Sequence, residues 1–143
     1  MRRSKFLSIS VFLILFAGAA AADQAVRKAE DITCAEAHTL IRAHEDDEDF
    51  MIIDFRPLEM FRPAYLRNAV FYDIFRESAE ARLDRLDRDG TYLIYCTIGH
   101  RSGIALDRMK AMGFERVHHM YEGILAWKRL GYETLSFVEA PAG

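Results

Sequence analysis

Cysteine is scarce in this chain: Cys34 and Cys96 are the only two among 143 residues. Two cysteines so far apart do not establish a disulfide, still less a disulfide framework. Proline is nearly as rare, at three residues. No internal repeat or low-complexity tract interrupts the chain, which fits one compact globular domain. Positive charge is not in excess: 19 Lys and Arg stand against 22 Asp and Glu, a formal charge of −3. That balance gives no reason to expect nucleic acid as a partner. Clusters of Cys and His at metal-ligand spacing are missing as well. His118 and His119 are adjacent, but neighbours on a strand point to opposite faces and a third ligand is not evident. The acidic run Glu45 to Asp49 reads as a solvated connection, because a run alone does not converge on an ion.

Long apolar runs are also lacking. The apolar stretch Phe6 to Phe16 is too short to favour a stable membrane span. Arg2, Arg3 and Lys5 precede it, and the small residues Ala17 to Ala22 follow it. That tripartite pattern reads as a secretory signal peptide over residues 1–22, cleaved after Ala22 to leave Asp23 first. The mature chain is then expected to be exported, to the periplasm if the source is a Gram-negative bacterium. Residues 23–31 form a lead-in, 32–133 the domain and 134–143 a tail.

What the sequence has in quantity is apolar side chains, 51% of the total, enough for a sizeable core. They fall into short runs. Phe50 to Asp54, Ala69 to Tyr72, Tyr92 to Tyr95 and Arg116 to Met120 read as strands, and Ile32 as a brief one. Helical spacing covers Cys34 to His44, Ser78 to Leu83, the stretch from Ser102 to Met112, and Ile124 to Leu130. Pro57 to Phe61 is a helical turn. Thr33 and Glu36 form a capping box that puts Cys34 in a helix's first turn, where it reads as structural. Alternating strands and helices imply an α/β fold, a small, mainly parallel sheet with helices on both faces. Sites on such sheets lie outside the carboxyl ends of the strands. Cys96 and Asp54-x-Arg56 both fall there.

The stretch Tyr92 to Gly103 carries the chemistry. Cys96 ends an apolar strand, and a short loop leads from it into a helix. Unpaired amides and the positive end of the helix dipole favour a thiolate there, and the thiolate is the nucleophile. Gly99 lets the backbone curl so that amides point inward, and Arg101 adds a cation.

Cys96-x-x-Gly99-x-Arg101-Ser102 between strand and helix resembles the active-site loop of rhodanese-like sulfurtransferases. Ile53-Asp54-Phe55-Arg56 is similar to that family's first signature. Tyr121-Glu122-Gly123-Ile124-x-x-Trp127 resembles its closing Gly-Gly-x-x-x-Trp, with Ile124 in place of the second glycine. Ala64 to Ala69 departs from the family's Gly-His-Ile-x-Gly-Ala. The resemblance implies a rhodanese-like fold and transfer of sulfane sulfur from thiosulfate or a similar anion, through a Cys96 persulfide, to cyanide or a thiol. A protein thiol is a further candidate acceptor. It implies catalysis by Cys96, with substrate contacts from Arg56, Thr97, Ile98, Gly99, His100, Arg101 and Ser102, support from Asp54, and neither metal nor cofactor. Four residues separate Cys96 from Arg101. Phosphatases and arsenate reductases of related fold have five, to fit a tetrahedral oxyanion. Those enzymes, and a non-catalytic binding module, are the alternatives.

Overall fold

The computed structural model describes residues 30–137. The expected signal segment, most of the lead-in and the end of the tail lie outside the described residues. The elements in order are β1 (Glu30–Ile32), α1 (Cys34–Ala43), β2 (Phe50–Asp54), α2 (Leu58–Phe61), β3 (Ala69–Phe71), α3 (Ser78–Asp84), β4 (Thr91–Tyr95), α4 (His100–Ala111), β5 (Val117–Met120) and α5 (Gly123–Arg129). The five strands pair parallel in the order β1-β5-β4-β2-β3.

β4 lies at the centre, and all five of its residues are buried. Its alternation divides the core. Tyr92, Ile94 and Cys96 join Leu83, Ala105 and Met109 on the face covered by α3 and α4. Leu93 and Tyr95 join Cys34, Ile124 and Trp127 on the face covered by α1 and α5. Burying a side chain such as Ile94 stabilises the fold by roughly 1.5–3 kcal/mol. Cys96 therefore enters the α3/α4 core by strand parity, before any contact of its own is considered.

Local chemistry accounts for the element ends. The capping box forms: Thr33 Oγ1 accepts the Glu36 amide, and the Glu36 carboxylate accepts the Thr33 amide. The departure at residues 64–69 keeps the turn that it replaces. Asn68 stands where the family pattern has its second glycine, and it adopts φ 63°, the left-handed region that asparagine tolerates best after glycine. Two ends differ from expectation. α4 begins at His100 rather than Ser102, because Gly99 at φ 90° turns the chain into the helix early. The strand expected at Ile32 starts at Glu30, where Glu30, Asp31 and Ile32 pair with His118, His119 and Met120. Beyond the expected domain end, Leu135 bridges Tyr65 antiparallel.

Candidate active site

β4 delivers Cys96 to the carboxyl edge of the sheet, and residues 97–99 carry the chain into α4. Two amides from the start of α5 fix this loop. Ile124 N–H donates to the Cys96 carbonyl at 2.9 Å, and Leu125 N–H donates to the Thr97 carbonyl at 3.2 Å. With those carbonyls drawn towards α5, the amides of residues 97–102 donate to no backbone carbonyl among the described residues. They are the unpaired donors of a helix start, and they suit an anion.

Two glycines permit this close approach. A Cβ on Gly99 would strike the Tyr121 carbonyl, and a Cβ on Gly123, at φ 70°, would strike the Thr97 carbonyl. Gly123 fixes the alignment of the closing signature. Counted back from Trp127, it is the second glycine, so the departure falls on Glu122 and not on Ile124. Glu122 has φ −72°, which any residue adopts, and its carboxylate accepts the Cys34 amide at 2.6 Å.

Cys96 is 1% exposed. Its Sγ lies 3.3 Å from the Ser102 hydroxyl, which also lies 3.2 Å from the Gly99 carbonyl and 2.8 Å from His119 Nε2. Thr97 Oγ1 is buried without a partner. Ile98 and His100 are exposed on the outer side of the loop. Arg101 is half-buried, with Nη1 3.7 Å from Met60 Sδ and its guanidinium over the Phe75 ring. Among the described residues no carboxylate bridges to it.

Arg56 makes its hydrogen bonds to other partners. Its Nε and Nη2 clasp both oxygens of Asp54, the Nη2–Oδ2 distance being 2.6 Å, and Nη2 also donates to the Ala64 carbonyl. Arg56 is 4% exposed and Asp54 is wholly buried. Arg56 is a residue expected to meet the substrate anion; its Nε and Nη2 are engaged inside the protein, where they tie the end of β2 to the segment before β3. Tyr95 completes this polar cluster. Burial, with the Asp54 charge, pushes its phenol up, so it stays neutral and its oxygen accepts the Leu66 amide at 3.1 Å. Of the two carboxyl-edge groups read from the sequence, Asp54 and Arg56 hydrogen-bond to each other and Arg56 also to Ala64, and Cys96 hydrogen-bonds to Ser102.

Cys34 is unbonded to Cys96, and both thiols are free. It packs beneath α5 with Sγ 3.6 Å from the Gly123 carbonyl. Burial and the Glu122 carboxylate push its thiol up to about 12, which makes it a poor nucleophile.

Residues 36–130 match the family model described as Rhodanese-like domain. Among curated proteins, the tRNA uridine(34) hydroxylase of Hamiltonella defensa is 32% identical over 111 residues, covering 70% of this chain and 31% of that protein. An uncharacterized protein of Synechocystis is 39% identical over 51 residues, 36% of this chain and 28% of that one. The chain spans about a third of the length of these curated relatives. Among solved structures, a rhodanese-like domain protein from Staphylococcus aureus superposes with TM-score 0.62 at 22% identity, covering 76% of this chain and 99% of that one. A rhodanese-related protein from Thermoplasma volcanium gives 0.61 at 22%, covering 74% and 97%.

Proposed function

The chain belongs to the rhodanese-like domain family, and from that premise we propose that it is a sulfurtransferase using thiosulfate or a similar donor. The observation that carries the reading is the setting of Cys96, a thiol just past the end of the central strand, followed by a loop whose amides donate to no backbone carbonyl among the described residues. The Cys96 thiolate attacks the outer sulfur of the donor. A sulfur–sulfur bond to Cys96 forms, and the bond to the sulfonate breaks with its electron pair, releasing sulfite. The loop amides hold the resulting persulfide anion. Cyanide or a thiolate then takes the outer sulfur and returns Cys96 as thiolate, a ping-pong cycle. Arg101, which no carboxylate neutralises among the described residues, faces the donor's charge in this scheme. A loop of four residues between Cys96 and Arg101 favours a sulfur over a tetrahedral phosphate or arsenate. The hydroxylation named for the longer relatives is not carried over to a chain that spans about a third of them.

Intact mass after incubation with thiosulfate tests the reading. Freshly reduced protein gains one sulfur, about 32 Da, and loses it to cyanide as thiocyanate. Arg101→Ala still gains sulfur, but its kcat/KM for thiosulfate falls about ten- to a hundredfold, the worth of one charge-assisted contact, roughly 1.5–3 kcal/mol. No gain of mass, together with turnover of a phosphate ester, replaces this reading with that of a phosphatase. No gain and no turnover leaves a binding module.

Export is part of the proposal, supported by the tripartite pattern of residues 1–22. Protein expressed in a Gram-negative host and recovered from the periplasm begins at Asp23 on N-terminal sequencing. A chain starting at Met1 in the inner membrane identifies an anchor instead.

A further inference from the structure

Beside Cys96 three polar contacts run in series. The Ser102 hydroxyl lies 3.3 Å from Cys96 Sγ, His119 Nε2 lies 2.8 Å from that hydroxyl, and Asp31 Oδ1 lies 2.7 Å from His119 Nδ1. Ser102 is wholly buried and His119 is 5% exposed, whereas most of the Asp31 side chain is in solvent. β5 aims His119 at the α4 side of the sheet, while His118 points the other way, towards Glu30 at 3.7 Å.

The donors and acceptors in this series fix its logic. The Asp31 carboxylate only accepts, so His119 Nδ1 carries a proton. With His119 neutral, Nε2 must accept, and the single Ser102 proton points to it. The serine oxygen is then free to accept from the Cys96 thiol. With His119 protonated, Nε2 donates to Ser102, and the serine proton is free to turn to the Gly99 carbonyl or to Cys96 Sγ, of which the anionic thiolate is the stronger acceptor. The two arrangements differ by one proton and a rotation of one hydroxyl.

We propose that Asp31, His119 and Ser102 form a proton relay that takes the Cys96 thiol proton and holds it on the imidazole while the sulfur is nucleophilic. The Cys96 S–H bond breaks as the proton passes to Ser102, and the serine's own proton passes to His119 Nε2. A Cys96 thiolate and a His119 imidazolium result, the latter facing Asp31. No proton is lost or gained, and because persulfide formation and its discharge both leave an anion at Cys96, the proton stays on His119 through the cycle. The other charged groups around His119 are Glu30 from β1 and Asp107 and Lys110 from α4, which line the open concavity beside it with Asp31. β4 brings only Ile94 opposite it. That concavity gives the far end of the relay an exchange route with bulk water that does not pass through the loop. Ser102 touches the reacting sulfur and is a catalytic residue in this scheme, whereas His119 and Asp31 act through it. The relay deepens the sulfurtransferase reading by supplying its nucleophile.

The test uses iodoacetamide and no sulfur donor. In the Cys34→Ser protein, alkylation of Cys96 is followed by intact mass across pH 5 to about 9, because the thiolate is the species that reacts. In His119→Gln, which keeps a side-chain nitrogen to meet Ser102 but cannot take a proton, the rate–pH profile moves about one unit higher. The rate near pH 6 accordingly falls about tenfold. Asp31→Asn, a change at a solvent-facing carboxylate, moves the profile in the same direction by less. A folded His119→Gln whose profile overlays its parent overturns the relay. If that variant does not fold, an overlaying Asp31→Asn profile does so. A protein that shows the shift but takes no sulfur from thiosulfate keeps the relay and loses the sulfurtransferase reading, so the two fail separately.

Discussion

Cys96→Ser incubated with thiosulfate is expected to gain no sulfur and to yield no thiocyanate with cyanide, while Cys34→Ser behaves like the parent protein. The two thiols share a broad setting, each beside a helix start, but their surroundings differ in sign. Around Cys34, burial and the Glu122 carboxylate oppose a thiolate and hold the thiol near 12. At neutral pH fewer than about one molecule in ten thousand has that thiol ionised, since each pH unit is a tenfold change. Around Cys96 the loop amides are unpaired and a serine hydroxyl is within hydrogen-bonding distance. A serine at position 96 keeps the place and loses the chemistry. Its hydroxyl gives up a proton far less readily than a thiol, so no standing anion comparable to a thiolate is there to attack the donor's outer sulfur. The measurement is intact mass with and without cyanide. Cyanide-labile sulfur retained on Cys96→Ser would move the carrier elsewhere and end the proposed mechanism.

Arg56→Ala is expected to cost about 3–5 kcal/mol of stability, the effect of removing one partner of a buried ion pair. Asp54 would be left wholly buried with its charge and without its guanidinium, and the Ala64 carbonyl would lose its donor. Urea unfolding reads this as a fall of more than about 1 M in the midpoint. The double variant Asp54→Ala, Arg56→Ala should lose less than the single one, because no isolated charge then remains inside. If Arg56→Ala keeps the parent's midpoint and loses only thiosulfate turnover, Arg56 returns to the substrate site.

The Asp54–Arg56 pair shows what a sequence can specify here. Asp54-x-Arg56 at the end of an apolar strand was legible as a pair at the carboxyl edge. Which way the guanidinium turns was not, because that is decided by Ala64, eight residues on, offering a carbonyl across the turn. The strands β2 and β4 were legible to within a residue, since their runs are short, apolar and bounded by polar or turn residues. The cap of α1 was legible because both its partners lie within one turn of chain.

The loop's cysteine, glycine and arginine could be read from their spacing between a strand and a helix. Its supports could not, because they come from distant chain. Gly123 and the amides of Ile124 and Leu125 arrive from α5. His119 was correctly set on the opposite face from His118, yet no pattern linked it to Ser102, or to an aspartate 88 residues earlier. The signal that could have found Asp31 is weak. Glu30 and Asp31 are charged, and a three-residue edge strand of such composition does not announce itself by alternation.

β1 also shows where a boundary drawn by likeness and a boundary drawn by physics part company. The stretch held in common with the family starts at residue 36. Upstream of it stand Thr33, which caps α1, Cys34, which fills the space under α5, and Asp31, which meets His119. A fragment trimmed to the shared stretch would retain Cys96, Gly99 and Arg101 and every motif by which kinship is recognised. It would also uncover the rim of the sheet at β5, open the first turn of α1 and strip the imidazole of its counter-charge. The unit that is inherited is shorter than the unit that must stay together.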